Sequence, residues 1–339
     1  GVTLYVDVEG CGLVPDGPAM REKPTLVLLH GGPGYDHSSF KPIFSALADV
    51  AQIVYVDHRG HGRSSRRPPA EWTLDTLADD VVRLCDALGI VKPVVLGQSF
   101  GGFVAQRYLA RHPKHPARVV LSSTSHHLGL PRKLAMFEKL GGPAARAAAD
   151  AFWTAPGPAT WANYQRLCMH LYNVQPPADG QARQRIRFVE EILFASAGGE
   201  QQQMQLLPGL AQVQCPVLVM AGEQDPVTPL ADAQEIAAAI PAPWGRLVTF
   251  AQAGHGAWRW LGDRIAVDQL ELPFAGGRLT ARGDVLLRRD VPLDRVAFRL
   301  PVFVPPEGES QFGYLHQLVH EGARDRYRPV TPATRGATA

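Results

Sequence analysis

In the run Gly97-Gln98-Ser99-Phe100-Gly101 a serine stands between glycines, a spacing that could support nucleophilic attack on a carbonyl. A serine hydroxyl is a weak nucleophile at neutral pH unless a base takes its proton and an acid orients that base. Composition alone produces such runs, so the flanking residues decide. "PVVLG" precedes the serine and "GGFVAQRYLARH", a helix-forming stretch, follows it. Ser99 therefore falls at a strand-to-helix turn, where small neighbours let the chain close tightly and push the hydroxyl outward. A serine that only caps a helix is the competing reading.

His255 in "QAGHGAW" is the candidate base, because it lies in a glycine-flanked loop just after the apolar run "RLVTF". His112, His115, His126 and His127 read as solvated surface histidines, and His30 as a structural residue of its turn. Between serine and histidine, "PVLVMAGEQDPVTP" offers Asp225 at a strand end, with Glu223 as the weaker rival. The corresponding position after "RVVLS" reads "STSHH" and holds no carboxylate. Acyl transfer places negative charge on oxygen, so fixed donors are needed. The backbone N–H of Phe100 is one. "LLHGGPGYDHSSF" supplies the other, for which Gly32 is favoured over Gly31, and Pro33 has no N–H to give.

These residues need strands to hold them. β-branched runs recur at 25–29, 52–57, 93–97, 118–122, 216–221 and 246–250. They lack polar alternation, as strands buried on both faces do. Helical patterns lie between them, as at 74–88, where Leu77, Val81, Leu84, Cys85 and Leu88 recur at spacings of three and four. Strand alternating with helix predicts an α/β class with a mostly parallel central sheet and helices on both faces. The rhythm breaks between His126 and Leu210, a helical stretch carrying Trp153, Trp161, Tyr164, Met169, Tyr172, Phe188 and Phe194. An inserted helical cap is expected there, most of its aromatics filling its own core. The expected organisation is a core over 1–125 and 211–262, a cap over 126–210, and a C-terminal extension over 263–339 of unassigned role. In the extension, Val296, Phe298, Leu300, Val302 and Val304 alternate as in a half-buried strand, and the tail 305–339 reads as loosely structured.

His30-Gly31-Gly32-Pro33-Gly34, Asp57-His58-Arg59-Gly60-His61-Gly62-Arg63-Ser64, Gly97-Gln98-Ser99-Phe100-Gly101-Gly102, Asp225 and Ala253-Gly254-His255 follow one another in that order. Over residues 1–260 the chain thereby resembles α/β-hydrolases close to the proline iminopeptidases. The resemblance implies the α/β-hydrolase fold and a Ser99, Asp225, His255 triad with Gly32 and Phe100 at the oxyanion. Proline iminopeptidases hold the substrate's free amino group with carboxylates of the cap. "RFVEEILF" resembles the segment bearing one of them, which falls on Glu190. The tryptophan motif that precedes the other resembles Trp161-Ala162-Asn163-Tyr164-Gln165, with neutral Gln165 where the acid would be. The chain also departs from the family at His58, where Gln is usual, and at Phe100, where Trp is usual.

A formal charge of +2, from 34 basic and 32 acidic residues, gives no electrostatic reason to expect nucleic acid or an anionic membrane as partner. A hydrophobic content of 45% with 19% charged residues is that of a packed globule. The cysteines, Cys11, Cys85, Cys168 and Cys215, lack paired spacing, so neither a metal site nor a disulfide framework is indicated. With no signal-like start and no apolar run of membrane-spanning length, a soluble cytoplasmic protein is expected. The expected activity is cofactor-independent serine hydrolysis of a small ester, amide or short peptide. Release of N-terminal proline is the alternative, and a non-catalytic binding module on the same fold is the alternative of another class; a homo-oligomer stays open.

Overall fold

The structure is a computed structural model that describes residues 1–174 and 181–256, and beyond these the backbone of strand segments between 264 and 318. The chain divides into two compact units, Gly1–Trp260 and Leu261–Ala339.

The first unit is organised by a seven-stranded sheet. Its strands in chain order are β1 (Val6–Glu9), β4 (Thr25–Leu29), β5 (Gln52–Val56), β6 (Val94–Gln98), β7 (Arg118–Ser122), β8 (Val217–Gly222) and β9 (Gly245–Phe250). A small antiparallel hairpin, β2 (Leu13–Asp16) with β3 (Ala19–Glu22), lies apart from it. The spatial order is β1-β5-β4-β6-β7-β8-β9. Every pair is parallel except β1 with β5, and the parallel pairs are joined by crossover connections. Alternate residues of β4 serve two clusters: Val27 and Leu29 pack on one face with helices α1 (Leu74–Leu88) and α2 (Phe100–Arg111), whereas Leu26 and Leu28 pack on the other with Phe40 and Phe44. Phe40 and Phe44 belong to 3₁₀ turns, His37–Phe40 and Ile43–Leu47.

α1 forms where its sequence specifies both ends. Thr73 accepts a hydrogen bond from the N–H of Thr76 at 3.2 Å, and Gly89 closes the helix in a left-handed conformation. Leu77, Val81, Leu84 and Cys85 then form one buried face. Loss of the Thr73 cap costs about 1 kcal/mol in comparable helices.

Between β7 and β8 the chain is helical: α3 (Leu130–Thr154, kinked at Gly142 before Pro143), α4 (Pro158–Leu167), α5 (Glu190–Ala197), α6 (Glu200–Gln203) and α7 (Leu207–Leu210). This segment has its own hydrophobic cluster, in which Phe137, Phe152, Trp153, Trp161 and Tyr164 meet Val227 from the loop after β8. α8 (Leu230–Ala239) returns the chain to the sheet face shared with α1 and α2. Among the described residues no helix is long and apolar enough to cross a membrane.

In the second unit, β10 (Arg264–Phe274) and β11 (Gly277–Leu286) form a long hairpin that the sequence pattern does not announce. A register shift between Val267 and Leu270 breaks the period-two pattern by which such a strand is recognised. The single strand expected over 296–304 appears instead as two short pieces, β12 (Phe298–Arg299), paired with β14 (Gln317–Leu318), and β13 (Phe303–Val304), paired with β11. Val296, Leu300, Val302 and most of the tail 305–339 lie outside the described residues.

Candidate active site

Three parallel strands end at one edge of the sheet, and each releases a loop toward the same point. After β6, Ser99 adopts φ 54° and ψ −116°, a conformation that costs a residue with a side chain of order 1–3 kcal/mol. Its surroundings hold it there. The Ser99 N–H donates to the Ser122 carbonyl at 2.9 Å, and the Thr124 hydroxyl donates to the Ser99 carbonyl at 2.9 Å. Two residues on, Gly101 must lack a side chain, since a Cβ would collide with the Leu29 carbonyl of β4. α2 thus packs directly on the end of the neighbouring strand. Phe100 opens α2, where the first N–H groups have no partner within the helix.

After β8 comes Asp225, fully buried. Its Oδ1 accepts the N–H groups of Val227 at 2.8 Å and Thr228 at 2.9 Å. Its Oδ2 accepts the Thr228 hydroxyl at 2.7 Å and meets His255 Nδ1 at 2.9 Å. The neighbouring Glu223 is exposed. After β9, His255 turns Nε2 to 2.9 Å from Ser99 Oγ. With Nδ1–H donating to the carboxylate, Nε2 keeps a lone pair that can accept the serine hydroxyl. Lys133, buried in α3, donates its ammonium to the Val227 carbonyl and so ties the helical segment to the Asp225 loop. Burial pushes this ammonium down to about 8, against the pull of Asp232 and Asp225.

The glycine loop after β4 is fixed from beneath. His30 Nδ1 lies 2.7 Å from the Gly31 carbonyl, and its Nε2 accepts the His58 N–H at 3.1 Å, which requires a neutral ring. Burial lowers His30 below its ordinary value, takes His58 well below, and brings His61 to about 3. The His30 ring centroid lies 4.4 Å from that of His58 and 5.2 Å from that of His61. Asp57 beside them is pushed up by burial, but hydrogen bonds from His37 and Arg63 outweigh this and hold it at about 2. Gly32 has φ +134°, a backbone state that L side chains rarely adopt.

Ser99 and His255 open on a cavity of about 520 Å³, whose lining includes Gly31, Gly32, Tyr35, Gln98 and Arg183 together with the aromatics Phe152, Trp153, Trp161 and Tyr172. No Asp or Glu among the described residues lines it. Of the cap residues that the resemblance places near substrate, Trp161 lines the cavity. Gln165 and Glu190 are exposed and lie outside the lining. Tyr172 is one of the aromatics expected in the cap, but Tyr35, Arg183 and Thr228 are not singled out by the sequence; a Thr three residues after Asp225 is a local cue for a hydroxyl partner, and nothing local marks the other two.

His126 corrects an expectation. It is buried, not solvated, and its Nε2 lies 2.6 Å from Glu235. His126, His127, Asp232 and Glu235 bring ligand-type atoms within 4.8 Å of one another. Arg132 already supplies positive charge there, donating to Asp232 at 2.7 Å and Glu235 at 3.0 Å.

Residues 24–258 match the family model described as the alpha/beta hydrolase fold. The chain is 36% identical over 128 residues to the proline iminopeptidase PfmaB of Pestalotiopsis fici, a match covering 36% of this chain and 45% of that protein, less than half its length. It is 30% identical over 270 residues to the putative carbamate hydrolase RutD of Caulobacter sp. (strain K31), covering 75% of this chain and 89% of that one. A crystal structure of a proline iminopeptidase from Mycobacterium smegmatis superposes with a TM-score of 0.59 at 23% identity, over 75% of this chain and 88% of that one, a likeness of fold alone. The chain belongs to the α/β-hydrolase family. Its relatives there are named as hydrolases of more than one kind, a proline iminopeptidase and a putative carbamate hydrolase among them.

Proposed function

We propose that this hydrolase is a cofactor-independent serine enzyme that cleaves a small, largely apolar ester or amide through an acyl-enzyme, with residues 1–125 and 211–262 as its core and 126–210 as its cap. The observation that carries the reading is the relay Ser99–His255–Asp225, with 2.9 Å at each link, opening on an aromatic cavity. Ser99 Oγ attacks the substrate carbonyl as its proton passes to His255 Nε2. Asp225 holds the imidazole in the required tautomer and stabilises the imidazolium. The amides of Gly32 and Phe100 meet the oxyanion. His255 returns the proton to the leaving group, then activates water, which hydrolyses the acyl-Ser99 ester and restores the serine.

Release of N-terminal proline is the second reading, favoured by the similarity to the Pestalotiopsis fici protein. An ammonium substrate needs a carboxylate in its subsite. None of the described lining residues is one, and for that reason the ester or amide reading stands first. A fluorophosphonate probe should label Ser99, and Ser99→Ala should lose labelling and turnover of p-nitrophenyl butyrate by about 10⁴-fold or more. Wild-type rates in Ser99→Ala would overturn the mechanism. Faster turnover of proline p-nitroanilide than of the ester would move the second reading to first place.

A further inference from the structure

Arg183 belongs to a 3₁₀ turn, Ala182–Arg185, and, although exposed, it lines the mouth of the same cavity as Ser99 and His255. Two hydrogen bonds donated by backbone N–H groups just C-terminal to the turn fix its position. The Arg187 N–H donates to Oδ2 of the fully buried Asp36 at 3.0 Å, and the Val189 N–H donates to the Gly34 carbonyl at 2.8 Å. Asp36 and Gly34 belong to the loop that carries Gly31, Gly32 and Tyr35, so the turn is pinned beside the glycines that face the nucleophile. The charge of Arg183 is felt at Tyr35, whose hydroxyl burial pushes up and the guanidinium pulls back.

Some arginines of the unit have carboxylate partners, such as Arg59 with Asp80 and Glu71, Arg63 with Asp36, and Arg132 with Asp232 and Glu235. Arg183 makes no ion pair among the described residues, and no carboxylate among them lines the cavity. A guanidinium offers a planar fork of N–H groups that matches a carboxylate in charge and shape. We infer that Arg183 is an anion subsite, and that the substrate is an ester or amide bearing a carboxylate remote from the scissile bond. The bond that is cleaved rests on the serine-hydrolase reading; the subsite is a matter of binding and can be read separately.

The test compares the p-nitrophenyl monoester of adipic acid, with its free carboxylate, against the same ester methyl-capped at the far end. The wild-type protein should favour the free acid by about tenfold in kcat/KM, mainly through KM, because Arg183 touches a part of the substrate that does not react. Arg183→Gln should bring the ratio of the two esters to about one, Arg183→Lys should keep part of it, and about 0.5 M salt should shrink it in the wild type. Equal kcat/KM on the two esters in the wild type, or a preference that survives in Arg183→Gln, overturns the inference. A second measurement needs no turnover. Ser99→Ala is titrated with monomethyl adipate and with dimethyl adipate, followed by the fluorescence of Trp153 and Trp161, both in the lining. The monoanion should bind about tenfold more tightly, and Ser99→Ala/Arg183→Gln should lose the difference. No difference overturns the subsite even if no ester is cleaved. Anion-selective binding in a protein whose Ser99 is never labelled by a fluorophosphonate would keep the subsite and sink the serine mechanism.

Discussion

At the floor of the cavity the groups that would react are positioned by backbone; across from them, the wall is shaped by side chains packed on one another. Ser99 is held by peptide and hydroxyl bonds on both sides of its strained turn, and both oxygens of Asp225 are occupied. The wall is Phe152, Trp153, Trp161 and Tyr172, with Arg183 as the charged member among the described residues. Hydrogen-bonded backbone tolerates little displacement, whereas aromatic clusters accept exchange of volume and polarity. The floor can therefore keep one chemistry while the wall changes what that chemistry is applied to.

The comparison breaks first at Asp225. Asp225→Asn keeps the shape but cannot hold the required tautomer of His255, and kcat should fall on the order of 10⁴-fold, read with p-nitrophenyl butyrate. A loss below about tenfold would mean that the floor is not organised around this carboxylate.

Acid offers a smaller, graded effect. His30, His58 and His61 have folded-state values below the ordinary 6.5, so below that pH the unfolded chain takes up protons that the folded one refuses. Stability should fall as pH drops from 6.5 toward 3, by up to about 1.4 kcal/mol per pH unit for each histidine. Asp57, held at about 2, works the same way lower down: its contribution is present above 3.8 and is lost as pH falls through 2. Urea midpoints between pH 7 and 4 would show this, and a flat profile would contradict the neutral histidine cluster under the glycine loop.

The smallest effect belongs to the wall's exposed side. Glu190→Gln should change kcat/KM less than about twofold on both p-nitrophenyl butyrate and proline p-nitroanilide. A loss confined to the anilide would reveal an amino-group subsite and reverse the order of the two proposed substrates.

The floor is far more legible in the sequence than the wall, for a physical reason. Runs such as "PVVLG" and "RVVLS" are apolar throughout because both faces are covered, and the strands fall within one residue of where the runs stand. Glycines around Ser99 mark backbone approach, which acts over a few residues and so leaves a local trace. The partnership of Ser99 with His255 spans 156 residues, yet strand ends in a parallel sheet converge by topology, so even that pair can be named. Arg183 has no such signature. Whether an arginine faces a cavity or solvent depends on how the helical segment folds back, and the same holds for Glu190, which a motif match places near substrate and the fold leaves exposed. His126 reads as surface because its partner Glu235 stands 109 residues away on α8.

The two hydrogen bonds from Arg187 and Val189 to Asp36 and Gly34 join wall to floor. A displacement of residues 182–189 would break both, while His30 still holds Gly31 and His58 from beneath. The stretch that carries Arg183 and the loop that carries Gly31 and Gly32 are therefore one mechanical piece, so a substitution at Asp36 should be felt on both sides of the cavity.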